Sequence, residues 1–91
     1  LRDAPGTRYR YSGEGINLVG FLVEQRLGAP LDRLMRDAQF APLGITRTSL
    51  TWQPDFAADV ADRFGADGRF LSTTRRSPAR AAGSMTTSAE D

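Results

Sequence analysis

PGTRYRYSGEGINLVGFLVEQRL, residues 5–27, reads as a glycine-marked turn that runs straight into an apolar helix. Pro5-Gly6 is a turn dipeptide. The alternation Arg8-Tyr9-Arg10-Tyr11 fits either a short extended segment with both tyrosines on one face or a continuation of the turn. Ser12 or Gly13 then caps a helix expected over residues 14–27, because a Ser hydroxyl accepts from the orphan N–H groups of a first turn. Ile16, Val19, Val23 and Leu27 form one stripe at helical spacing, with Gly20 beside it. Leu18, Phe21 and Leu22 carry the apolar surface far around the helix, and only Asn17, Glu24, Gln25 and Arg26 interrupt it. A helix this apolar is expected to be enclosed on several sides. Gly28 and then Pro30 stop it. Gly20 reads as a close-packing position rather than a ligand contact.

Working outward, a second helix is expected over residues 30–41, opened by Pro30 and closed before Pro42. Leu31, Leu34, Met35 and Ala38 make its expected buried face. Asp32, Arg33, Arg36 and Asp37 read as a solvated face whose helix-spaced ion pairs supply about 0.2–0.5 kcal/mol each. Residues 41–48 form a turn around Pro42 and Gly44. Residues 49–56 are short, extended and then turning, with Trp52 as either a packing residue or a stacking platform for substrate. A short helix over residues 55–64 would use Phe56, Val60 and Phe64. Ala66-Asp67-Gly68 is a turn and Phe70-Leu71 a short strand. Residues 72–80 read as polar loop, with Arg75, Arg76 and Arg80 solvated. Ser88 and Asp91 have the spacing of a helix-opening cap. The fold class is thus mainly α.

Composition narrows the chemistry. The chain has 91 residues, is 40% hydrophobic and 25% charged, and carries a net charge of +1. That is an ordinary globular balance with no field implying nucleic acid or a membrane surface. No apolar run approaches the roughly 20 residues of a membrane span. The first residues, LRDAPG, have no signal-peptide pattern and no initiator Met, so the compartment is not legible. The chain is expected to continue beyond both ends, since the cap at Ser88 opens a helix that has no body. With no Cys and no His, zinc-thiolate sites, thiol nucleophiles and the commonest general base are excluded, and no metal or cofactor is expected. With no Lys either, neither a Ser-His-Asp triad nor a Ser-Lys dyad can form within these residues. Ser72-Thr73-Thr74-Arg75 has Ser-x-x-basic spacing, but Arg keeps its proton. Ser12 is not a nucleophile elbow, because Arg10 and Glu14 occupy the required glycine positions. Glu14 and Glu24 stand roughly 15 Å apart along a helix, too far for a direct acid/base pair.

Tyr11 remains. A Tyr on a glycine-flanked turn beside a helix N-terminus can have its phenolate favoured by nearby donors and by Arg8 and Arg10, or it can be an ordinary loop residue.

Pro5-Gly6-Thr7, Tyr11-Ser12-Gly13, Val19-Gly20, Gly28 and Pro42-Leu43-Gly44-Ile45 occur in the order found in class C β-lactamase-type serine hydrolases. Ala61-Asp62-Arg63-Phe64, Asp67-Gly68 and residues 82–91 extend the similarity over nearly the whole chain. The sequence therefore resembles that family, which includes D-alanyl-D-alanine carboxypeptidases, penicillin-binding-protein relatives and esterases. The resemblance implies that the chain is a partial helical subdomain of an α+β hydrolase. The nucleophile-bearing Ser-x-x-Lys lies before it, and the Lys-Thr-Gly or His-x-Gly strand after it. It implies that Tyr11 is the Tyr of the Tyr-x-Asn motif, a general acid/base. Gly13 holds the place of the substrate-binding Asn, which tilts the expectation towards an esterase or peptidase-like relative. The substrate class implied is a small amide or ester, or a peptidoglycan-like molecule, cleaved through an acyl-enzyme by the intact parent and not by these residues alone. The alternative is a non-catalytic helical interaction module from a degenerate homologue.

Overall fold

The computed structural model describes residues 3–72 and 75–91. Readings that touch Leu1, Thr73 or Thr74, including the Ser-x-x-basic run, lie wholly or partly outside those residues. Helix α1 spans Gly13–Leu27. Ser12 is its N-cap, its hydroxyl accepting from the Gly15 N–H at 3.0 Å. Gly28 ends it in the left-handed conformation at φ 67°, its N–H bonded to the Glu24 carbonyl. Glu14 in the first turn and Arg26 in the last complement the helix dipole.

Helix α2 is shorter than the spacing predicts. It covers Leu31–Met35 and then widens into a π-helical turn over Arg36–Phe40. The wide turn is visible in the hydrogen bonds: Ala41 N–H reaches the Arg36 carbonyl and Ile45 N–H the Phe40 carbonyl, five residues back in each case. One extra residue in the turn rotates the buried face. Ala38, expected inside, is exposed, and Phe40 takes its place in the core beside Leu31.

Of the short helix expected over residues 55–64 only the start is helical, and it does not reach Val60 or Phe64. Pro54–Ala58 is a single 3-10 turn that buries Phe56. The chain then extends into strand β1, Arg63–Phe64, which pairs antiparallel with β2, Phe70–Leu71, in the register Arg63 opposite Leu71 and Phe64 opposite Phe70. The Asp67-Gly68 turn explains the difference. Gly68 adopts φ 76° and its N–H bonds to the Gly65 carbonyl, while Asp67 accepts from Arg69 N–H. That reversal recruits Phe64 to stack edge-on against Phe70 instead of completing a helical stripe.

The core is Leu31, Phe40, Leu50 and Phe56, closed by Ser84. The Ser84 hydroxyl donates to the Leu50 carbonyl at 2.7 Å and accepts from Arg80 N–H at 2.8 Å. Residues 84–91 are laced onto residues 46–50. Ser49 and Thr86 exchange two backbone bonds, and Thr48 and Thr87 share a hydroxyl bond. The accessible surface is 7382 Å², against about 5,200 Å² for a compact chain of 9.9 kDa. The radius of gyration is 16.0 Å where about 12 Å is usual for this length. These residues form a thin, open plate with roughly 2,200 Å² more surface than a self-contained domain.

Candidate functional site

Tyr11 is reached through a tight reversal. Pro5 and Gly6 occupy its two central positions, with Gly6 at φ 81°. Thr7 closes it by donating both its N–H, at 3.2 Å, and its hydroxyl, at 2.7 Å, to the Ala4 carbonyl. Residues 8–12 then run without regular structure into α1. Both tyrosines of the Arg-Tyr alternation are exposed, Tyr11 at 73%. Tyr11 borders an open cleft of about 570 Å³ together with Asp3, Pro5, Arg8, Arg10 and Ser12. Among the described residues its hydroxyl has no hydrogen-bond partner, and it sits outside the core.

The two arginines near the phenol differ. Arg10 is held by Asp3, its Nε donating to Oδ2 at 2.7 Å. The sequence reading missed Asp3, although seven-residue spacing around a Pro-Gly turn is the signal that pairs it with Arg10. Gly13, the position of the expected Asn, is the first residue of α1. Nothing lies within 4 Å of where its Cβ would be, so the helix start beside Tyr11 is sterically open.

Helix α1 faces the opposite way from an ordinary surface helix. Its polar residues hold it to the rest of the plate. Asn17 Oδ1 accepts from Ala82 N–H at 2.9 Å, and Glu24 Oε1 accepts from Leu31 N–H at 2.7 Å, capping α2. Gly20, between them, is the one buried residue of the helix. Leu18, Val19, Phe21 and Leu22 stand more than half exposed on the remaining surface. The enclosure that the apolar sequence calls for is not supplied by these residues. Trp52 packs edge-on against Phe56 with the Arg75 guanidinium over its ring, so its contacts are internal.

A second polar centre lies away from Tyr11. The Asp91 carboxylate accepts from Thr46 N–H at 3.2 Å, Arg47 N–H at 2.6 Å and the Thr48 hydroxyl at 2.8 Å. Desolvation pushes its pKa up, but the Thr48 hydroxyl, the two backbone donors and the Arg47 charge together outweigh it and hold it below the ordinary Asp value. Ser88 accepts from Asp91 N–H, the bond that the cap spacing anticipates. Arg47 continues the network to Asp59 and Asp55 and lies over the Phe56 ring. The described residues contain no group of His, Cys, Asp and Glu able to hold a metal, and no helix long and apolar enough to cross a membrane.

A family model described as Beta-lactamase matches residues 1–91. Over 48 residues the chain is 43% identical to an Escherichia coli (strain K12) protein named as a D-alanyl-D-alanine carboxypeptidase, a match covering 53% of this chain and 11% of that protein. It is 40% identical over 48 residues to a Beta-lactamase of Pseudomonas fluorescens, covering 53% of this chain and 13% of that one. The matched stretch is a small part of the length of these relatives.

Proposed function

The chain belongs to the β-lactamase family, and from that premise we propose that it is part of the helical subdomain of a serine hydrolase, with Tyr11 as a proton-transfer group. The observation that carries this reading is the placement of Tyr11: an unpartnered, exposed phenol on a braced turn, bordering an open cleft. A phenol in that setting can pass a proton to and from a group brought up to the cleft. In the intact hydrolase a serine outside these residues adds to the carbonyl of an amide or ester. The Tyr11 oxygen relays the serine's proton to the departing amine or alcohol. Water reverses the sequence at the acyl-enzyme, releasing the acid and the free serine.

The relatives' names support a D-alanyl peptide or a β-lactam as substrate. Gly13 favours an ester, since it supplies no side chain to hydrogen-bond a substrate amide. The absence of His, Lys and Cys supports the view that residues 1–91 alone have no activity. The same Gly13 also favours a second reading, a binding module that has lost its chemistry.

The test is covalent labelling of the intact protein with a fluorescent penicillin and with a fluorophosphonate. The enzyme reading expects an adduct outside residues 1–91 that forms far more slowly in Tyr11→Phe. No adduct with either reagent, and no turnover of a chromogenic ester, would favour the module. An adduct within residues 1–91 would contradict their inactivity.

A further inference from the structure

We propose that Asp3 is a positioning residue for Tyr11, acting through its ion pair with Arg10. The inference rests on the reading of Tyr11 as the proton-transfer group, and it concerns how an otherwise untied phenol is held.

The Tyr11 side chain has no hydrogen bond of its own among the described residues, so its place is inherited from its neighbours in the chain. On the downstream side Ser12 is fixed as the cap of α1, 3.0 Å from Gly15 N–H. That bond belongs to the helix and would be present whatever preceded it. On the upstream side nothing in α1 requires residues 3–10 to adopt one path. The reversal at Pro5-Gly6, closed by Thr7 on Ala4, brings the chain back alongside itself and sets Asp3 next to Arg10. The 2.7 Å bond from Arg10 Nε to Asp3 Oδ2 then ties residue 10 across the loop, one residue before the phenol. Asp3 selects Arg10 over Arg8, which has no ion-pair partner among the described residues. The Asp3 side chain is 27% exposed and that of Arg10 55%. Such a pair adds little to global stability. Its effect is on geometry: Tyr11 is the single residue between two side-chain anchors. A displacement of about 1 Å at a reacting group is enough to lower a rate substantially.

The experiment uses the intact protein that contains this chain, with p-nitrophenyl acetate as substrate, and measures kcat and KM separately. Asp3→Ala is expected to lower kcat about three- to tenfold with little change in KM, whereas Tyr11→Phe lowers it about a hundredfold or more. In the Tyr11→Phe background, Asp3→Ala should cost almost nothing further, because the two act on one step. The swapped pair Asp3→Arg with Arg10→Asp should recover most of the lost kcat, a result that also decides the matter if Asp3→Ala alone fails to fold. Unchanged kcat in Asp3→Ala, an equal loss in both backgrounds, or no recovery by the swap overturns the proposal. Full activity in Tyr11→Phe would instead overturn the role of Tyr11 itself, and the positioning role with it.

Discussion

Ala81 lies across α1 at Gly20, so closely that a Cβ added to Gly20 would stand 2.9 Å from the Ala81 Cβ and 3.3 Å from Leu31 Cδ2. Two opposing effects meet in Gly20→Ala. Helix propensity favours alanine by about 0.5–1 kcal/mol. Overpacking a tight contact costs about 1–3 kcal/mol. The contact wins, and a net loss of roughly 1 kcal/mol is expected in thermal or urea melts. The compensating pair Gly20→Ala with Ala81→Gly should recover most of it. Equal stability of Gly20→Ala and the parent would show that the crossing is slack.

The Asp91 clasp carries a pH signature. Its pKa in the folded chain lies below the ordinary value near 3.9, so it binds protons less readily folded than unfolded. Its contribution is therefore fully present above the unfolded pKa and is lost as pH falls through the lower folded value. Amide exchange at Thr46 and Arg47 should be flat between pH 7 and pH 5 once the intrinsic rate is removed, and protection should fall only below about pH 4. Asp91→Asn should weaken protection at both amides at all pH values, with no acid step. A loss of protection centred near pH 6 would assign the clasp to another group.

Glycines at the two ends of α1 should respond oppositely to alanine. Gly13 has an ordinary helical backbone and open space around it, so Gly13→Ala is expected to stabilise by about 0.5 kcal/mol. Gly28 also has open space, but its φ of 67° is left-handed. Gly28→Ala is expected to cost about 1 kcal/mol for backbone strain alone. Melts of the two variants decide this, and matching signs would refute it.

Leu18 and Leu22 sit one turn apart on the outward face of α1. Residues 1–91 in isolation are expected to self-associate and to bind a hydrophobic dye through this face. Leu18→Glu with Leu22→Glu should reduce both, seen by sedimentation velocity and dye fluorescence. In the larger hydrolase proposed above the same pair is expected to be strongly destabilising, since a leucine covered there would lose a buried site worth about 2–5 kcal/mol. A tolerated double substitution in the intact protein would mean that the face is open to solvent there too.

Features written in neighbouring residues were legible from the sequence. Ser12, Gly28 and the apolar run between them fix α1 within a residue, because caps and periodicity act locally. The strand at Phe70-Leu71 and the Asp67-Gly68 turn were legible for the same reason. The π-helical turn after Met35 was not, since no residue of Arg36–Phe40 forbids ordinary helix, and the burial of Phe40 against the core decides it. Phe64 was misplaced because a helical stripe and a two-residue strand both use an aromatic there, and the choice depends on its partner Phe70. Beside Tyr11, the cap at Ser12 was legible for the same local reason, whereas the tie that docks α1 joins residues distant in sequence, as Asn17 to Ala82 shows.

The single indole of the chain gives the plate an optical reporter. Trp52 has the Arg75 guanidinium 5.1 Å above its ring and a backbone bond to Arg76, while α1 contributes no indole. Emission therefore follows the seam between residues 52 and 76 and is blind to the helix that follows the phenol. Far-ultraviolet dichroism, dominated by α1, follows the other half. Recorded on one sample during unfolding, the two signals would tell whether helix and seam part together or in sequence.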